Sequence, residues 1–116
     1  MQRYELDAWL GDDHGLDENQ LAELLQQADE IEGRFPDPDD HAEKHVALVT
    51  AYKLIKGDES VIDELAMDRV KARAAESRAL AGLQQAARMA GAANESAFAR
   101  RARVDRMTVR KWRDKR

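Results

Sequence analysis

Helix-compatible sequence runs through this chain almost without interruption, and this feature limits the fold more than any other. Proline occurs only at positions 36 and 38, and residues 59–90 contain no proline and one glycine, Gly82. Ala, Leu, Arg, Glu, Gln and Asp dominate, whereas β-branched residues are few. Because most of these residue types favour helices, we predict an all-α fold. The length of 116 residues fits one domain, or one small domain with an appendage.

Charge divides the chain into two unlike regions. Residues 1–68 carry 19 acidic and 5 basic side chains, a net charge of −14, whereas residues 69–116 carry 14 basic and 4 acidic side chains, a net charge of +10. Such a division of charge indicates that the two regions have different functions. We therefore predict an acidic helical region over residues 1–68, which dimerises or binds a partner, and a basic region over residues 69–116.

Capping signals place helices in the acidic region. Residues 2–10 fit a short amphipathic helix. Asp17 then fits an N-cap, and Gln20 is placed to complete a capping box with it. Asp37, directly before a proline, predicts the start of another helix that runs to about Lys56.

A long connecting segment follows, from Glu59 to about Ala90. Its apolar residues are spaced for a helix at both ends, but residues 71–77 offer only alanine as apolar content. Two interpretations remain open: one continuous helix, or two helices that separate near Ser77.

The stretch after Gly91 has the pattern of two short helices joined by a tight turn. Asn94 or Ser96 is placed to cap the first helix, and Asp105 to cap the second. Small or apolar residues occupy the positions that would face inward, and we predict that they form the core of this unit: Phe98, Ala99, Ala102, Val104, Val109 and Trp112.

This pattern resembles the helix-turn-helix motif of bacterial and phage DNA-binding proteins, in its three-helix form, over residues 79–114. The resemblance implies a supporting helix over Leu80–Ala90, a second helix over Ser96–Ala102 and a recognition helix over Arg106–Asp114. Arg103 stands where that family usually has glycine, in a position that often needs a left-handed backbone. Arginine adopts that backbone at a cost of about 1 kcal/mol. The acidic region resembles no family known to us.

The resemblance also implies how the chain would contact double-stranded DNA, with the recognition helix in the major groove. If Val109 and Trp112 face the core, the side chains predicted to read base edges are Arg106, Met107, Arg110 and Lys111. The side chains predicted to bind phosphates are Arg100, Arg101, Arg103, Thr108, Arg113, Lys115 and Arg116. Phosphate contacts supply affinity and salt dependence but no sequence choice.

The sequence is compatible with two functions. The favoured one is a sequence-specific DNA-binding protein, either a transcriptional regulator or a phage or plasmid maintenance factor. It would act as a homodimer, because dimers place two recognition helices about 34 Å apart. The alternative is an adaptor whose acidic half binds a partner protein and whose basic end only anchors it on DNA. In a variant, the acidic region covers the basic one and lowers non-specific binding.

Patterns typical of catalysis or metal binding are missing from the sequence. There is no cysteine, no glycine-rich phosphate loop and no supported Ser/His/Asp arrangement. His41 and His45 lie four residues apart but lack the glutamate that follows the first histidine of the zinc-protease pattern, so we interpret them as surface histidines. We therefore predict no catalytic residues, metal or cofactor, and no enzyme. The absence of a long apolar run predicts a cytoplasmic protein that does not enter a membrane. Binding to DNA would make it nucleoid-associated.

Overall fold

The computed structural model describes residues 1–90 and 94–114, and its backbone confirms the all-α fold. No strand occurs in those two ranges. A turn of 3-10 helix at Pro38–Asp40 leads directly into the third helix. The α-helices are α1 (Arg3–Leu10), α2 (Glu18–Arg34), α3 (His41–Ile55), α4 (Ser60–Met89), α5 (Glu95–Ala102) and α6 (Arg106–Asp114).

The chain divides into two compact units, Met1–Leu65 and Ala66–Arg116. We call them the N-terminal unit and the C-terminal unit. The boundary falls within α4, so the first turns of this helix belong to one unit and the remainder to the other.

α4 is a single helix of 30 residues, which decides between the two interpretations of the segment around Ser77. At 1.5 Å per residue it is about 45 Å long. Residues 62–82 are all exposed, and the only glycine among them, Gly82, is tolerated within the helix. Continuous helix is favoured here because the exposed positions are rich in alanine, which loses no side-chain entropy in a helix.

The N-terminal unit is built around the apolar side of α2. Its buried side chains come from α1, α2, α3 and the loop before α2, and they are Leu6, Leu16, Leu21, Leu24, Ala28, Ile31 and Leu48. The predicted cap of α2 is confirmed. Asp17 accepts a hydrogen bond from the backbone N–H of Gln20 at 2.8 Å, and the Gln20 side chain accepts one from the Asp17 N–H at 3.0 Å.

Polar contacts fix the connections of this unit. The Asp37 carboxylate accepts a hydrogen bond from the backbone N–H of Asp39 at 2.9 Å, as a capping residue does. It caps the 3-10 turn Pro38–Asp40, however, and α3 itself begins at His41, later than predicted. The Tyr52 hydroxyl donates to the His14 carbonyl at 2.7 Å and ties the loop before α2 to α3. The loop is therefore held by α3 as well as by its own turn.

The C-terminal unit packs the end of α4 with α5 and α6 around a small core. Ala87, Ala99, Val109 and Trp112 are buried, and Leu83, Phe98 and Val104 pack around them. The small side chains of Ala87 and Ala99 are buried in this core. The larger Val109 and Trp112 side chains then fill the space between the helices, with Val109 fully buried.

Candidate nucleic-acid interface

The turn between α5 and α6 contains the one non-glycine residue with a positive φ in residues 1–90 and 94–114. Arg103 has φ 59° and ψ 41°, in the left-handed region. Its backbone N–H and that of Val104 donate to carbonyls in the last turns of α5, at 3.4 Å to Arg100 and 3.1 Å to Ala99. The turn thus adopts the left-handed geometry without glycine, while the half-buried Val104 packs against the core of the unit.

Asp105 begins α6 as predicted. Its carboxylate accepts a hydrogen bond from the backbone N–H of Thr108 at 2.7 Å, and its carbonyl accepts one from Val109 at 3.3 Å. The hydrogen bonds from the Thr108 backbone and hydroxyl hold the pKa of Asp105 below its usual value, aided by the charge of Lys111. Thr108, predicted to bind phosphate, is therefore engaged with Asp105.

The expected side-chain cap of α5 is wrong. Asn94 occupies the N-cap position, but its side chain makes no capping hydrogen bond, and Ser96 lies inside the helix. The backbone explains the difference: Asn94 has φ −104° and ψ 9°, whereas a capping side chain needs an extended backbone to reach the N–H groups of the first turn.

α6 has one buried face and one exposed face. Val109 and Trp112 point into the core. The side chains predicted to read bases are all exposed, and they are Arg106, Met107, Arg110 and Lys111. Met107, Arg110 and Lys111 line one shallow surface recess together with Asp114.

The predicted phosphate-binding cations lie in different surroundings. Arg100, Arg101 and Arg103 are exposed at the end of α5 and in the turn after it. Arg113 is half-buried and donates a hydrogen bond to the carboxylate of Glu95, so it is already paired within the protein. Lys115 and Arg116 fall outside the described residues.

Glu95, the first residue of α5, is a member of this site that the sequence did not reveal. It is the one buried charged residue in the described ranges, with 10% of its side-chain surface exposed. Its carboxylate contacts three arginines of α6. Arg113 binds the Oε1 atom of Glu95. The Nε atoms of Arg106 and Arg110 each lie 3.6 Å from its Oε2 atom.

Two opposing effects act on the Glu95 carboxylate. Its removal from water raises its pKa. The hydrogen bond from Arg113 and the charges of Arg110, Arg113 and Arg106 lower the pKa by more, so the net shift is downward. Glu95 is therefore ionised at neutral pH, and the three arginines converge on a fixed negative charge. The sequence signal that was available is the spacing of the arginines, which places all three along one side of α6.

A further contact joins α4 to the end of α6. The Arg88 Nε donates a hydrogen bond to the carbonyl of Trp112 at 3.2 Å. The last carbonyls of a helix have no partner within the helix, and a cation near them is favoured by the helix dipole. Arg88 therefore holds α6 from its C-terminal end, while Asp105 caps its N-terminal end.

The histidine pair lies in the N-terminal unit. Both His41 and His45 are exposed, and the ring of His45 lies 6.3 Å from that of Trp9 in an edge-to-face arrangement. Packing against an aromatic ring accounts for the placement of His45.

Comparison of the chain with protein-family models, with curated proteins and with solved structures gave no match. Within residues 1–90 and 94–114, no helix combines the length and the apolar character needed to cross a bilayer.

Proposed function

We propose that this protein binds double-stranded DNA in a sequence-specific manner, with α6 in the major groove. It would act as a transcriptional regulator or as a phage or plasmid maintenance factor on the nucleoid. The observation that carries the proposal is the division of α6: Val109 and Trp112 are buried, whereas Arg106, Arg110 and Lys111 are exposed. The major groove is wide enough to admit one such helix.

Base reading is assigned to the exposed side chains of α6. Arg106 and Arg110 can each form two hydrogen bonds with the guanine edge in the major groove. Lys111 can donate to the same acceptors. Met107, with 60% of its surface exposed, offers an apolar contact for a thymine methyl group.

Phosphate binding is assigned to the cations around α6. Arg100, Arg101 and Arg103 are exposed and supply attraction that does not depend on sequence. The net charge of +10 over residues 69–116 favours approach to DNA. The acidic N-terminal unit would be repelled by phosphate, so it should not contribute to this surface.

A homodimer completes the proposal, because one helix-turn-helix offers a small interface and two copies bind paired half-sites. α4 supports a contact between copies. It exposes Ile62, Met67 and Val70, with 55%, 53% and 60% of their surfaces accessible. Residues 60–68 of α4 carry acidic side chains and no basic ones, whereas residues 69–89 are mainly basic. Two antiparallel copies of α4 would therefore pair opposite charges.

The test is selection of DNA by the full-length protein from a library of randomised duplexes, repeated over a range of salt concentrations. The proposal predicts an enriched palindrome with half-sites about one helical turn apart. Binding that falls with salt but enriches no sequence would instead favour an adaptor, in which the acidic unit binds a partner protein and the basic unit only anchors the complex.

Sedimentation of the free protein tests the dimer separately. We expect a dimer that dissociates when Val70→Asp introduces a charge into the exposed apolar side of α4. Glu23→Gln changes the charge of an exposed residue of α2, outside the proposed contact, and serves as the control. A monomeric wild-type protein at the concentrations that bind DNA would contradict the dimer.

A further inference from the structure

Three arginines of α6 converge on one buried carboxylate, and this arrangement calls for a reason beyond packing. Burying a carboxylate costs free energy that an apolar side chain at the same position would not incur. Glu95 nevertheless occupies the first position of α5, where it contacts Arg106, Arg110 and Arg113. Two of these partners are the arginines to which we assign base reading.

We infer that Glu95 is a positioning residue that raises the sequence discrimination of α6 and lowers its affinity for DNA of any sequence. This inference rests on the proposed function, since it concerns how Arg106 and Arg110 meet the bases. Glu95 itself contacts no DNA.

The geometry separates the roles of the three arginines. Arg113 is half-buried and hydrogen-bonded, so it fixes the carboxylate in place. Arg106 and Arg110 retain 61% and 50% of their side-chain surfaces exposed and approach Glu95 through Nε. The two terminal nitrogens of each guanidinium then remain for a guanine, which needs two parallel donors.

Orientation by Glu95 favours discrimination. A guanidinium that is already held near one direction loses less freedom when it binds a base in that direction. The same guanidinium gains less binding free energy from an incorrect base, because that base would require it to point in a different direction. The carboxylate therefore sharpens the difference between a correct and an incorrect base pair.

The negative charge of Glu95 lowers the affinity of the protein for DNA of any sequence. The ionised Glu95 offsets part of the positive charge on the exposed side of α6. Phosphates occur at every sequence, so this offset weakens attraction to all duplexes alike. A single carboxylate thus acts on affinity and on discrimination in opposite directions, which no purely structural role would produce.

The experiment compares the full-length protein with its Glu95→Gln variant, which removes the charge and keeps the side-chain shape. Dissociation constants are measured for the duplex enriched by the wild-type protein and for a scrambled duplex of the same composition. We expect Glu95→Gln to bind the scrambled duplex about twofold to fivefold more tightly at low salt. We expect the ratio of the two constants to fall at least about fivefold.

Two further variants separate the effects. Glu23→Gln removes an exposed carboxylate from α2, outside both α4 and the proposed DNA-binding surface, and it should leave the ratio unchanged. Glu95→Asp keeps the charge but shortens the reach to Arg106 and Arg110. It should lower the ratio without raising affinity for the scrambled duplex.

The outcomes distinguish the two proposals. If the wild-type protein enriches no sequence, the proposed function fails. If it enriches a sequence and Glu95→Gln keeps the wild-type ratio, the function stands and the positioning role is wrong. Circular dichroism monitors the fold. Should Glu95→Gln unfold, Glu95→Asp carries the test, and unfolding of both variants would overturn the inference by making Glu95 a residue of stability alone.

Discussion

The N-terminal unit buries a cluster of seven apolar side chains in the described part of the chain, whereas the C-terminal unit buries a cluster of four. The C-terminal unit adds what the other lacks, a buried carboxylate that pairs with three arginines. Apolar burial depends little on pH or salt, but ion pairs depend on both. The ion pairs of the N-terminal unit use exposed carboxylates, whereas the C-terminal unit buries the paired carboxylate of Glu95. We therefore expect changes of pH and salt to affect the stability of the C-terminal unit more.

The largest effect should come from the apolar core of the N-terminal unit. Leu24 is fully buried, and Leu24→Ala should lower the free energy of unfolding of that unit by about 2–5 kcal/mol because it leaves a cavity. Each unit contains one tryptophan, Trp9 or Trp112, so fluorescence of single-tryptophan variants can follow the units separately in urea.

The matched control is Val46→Ala, at a position on α3 that is 49% exposed, where a change within about 0.5 kcal/mol is expected. The Trp112 signal should keep its wild-type transition in Leu24→Ala. A common shift of both signals would show that the two units unfold together and would remove the basis of the comparison.

The next effect concerns binding. Arg110→Ala should cost about 1–3 kcal/mol in the binding of the enriched duplex and relax the preference at one base pair. Lys44→Ala removes a cation from the N-terminal unit and should change neither quantity. Unchanged affinity and preference in Arg110→Ala, measured by fluorescence anisotropy with a set of single-substituted duplexes, would mean that the exposed side of α6 is not the reading surface.

Lowering the pH should reduce the stability of the C-terminal unit through protonation of Glu95. Its pKa in the folded protein lies below its ordinary value, so its contribution to stability is present above the unfolded value of about 4.3 and is lost as pH falls through the folded value. We expect the thermal midpoint reported by Trp112 to fall as the pH is lowered from about 5.

Glu95→Gln removes the titrating group and is the control for this measurement. Its midpoint should start lower at neutral pH and should fall less on acidification. An equal fall in the wild-type and variant proteins would assign the acid sensitivity to other carboxylates, such as Asp105, whose pKa is also lowered.

The smallest effect lies in the turn. Arg103→Gly should stabilise the C-terminal unit by up to about 1 kcal/mol, because glycine adopts the left-handed backbone without steric cost. Arg103→Ala removes the same charge but keeps a Cβ, so it should bring no such gain. Equal midpoints for the two variants in thermal unfolding would show that the backbone of Arg103 is not strained.

Local signals in the sequence predicted the local structure of the chain. Asp17 and Asp105 cap helices because each has a side-chain oxygen placed to reach the N–H groups that follow it. The same reasoning failed at Asn94, where the backbone angles and not the residue type decide whether a cap forms. Whether α4 breaks near Ser77 also lay beyond the sequence, since an alanine-rich segment is compatible with either outcome.

The role of Glu95 could not be predicted, because its partners are distant in sequence. Arg106, Arg110 and Arg113 lie on another helix, and their meeting with Glu95 depends on how α5 crosses α6. A glutamate at the start of a helix has an ordinary explanation in the helix dipole, so it attracts no notice by itself. Its contacts with the three arginines are evident only in the packed structure.

The most direct test of the claim that α6 reads DNA in the major groove is methylation interference at guanine N7 in the enriched duplex. This atom faces the major groove, and a bound arginine would contact it. We predict that methylation of specific guanines blocks the wild-type protein, and that Arg110→Ala loses the interference at one guanine of each half-site. Binding that tolerates methylation at every guanine would contradict the account.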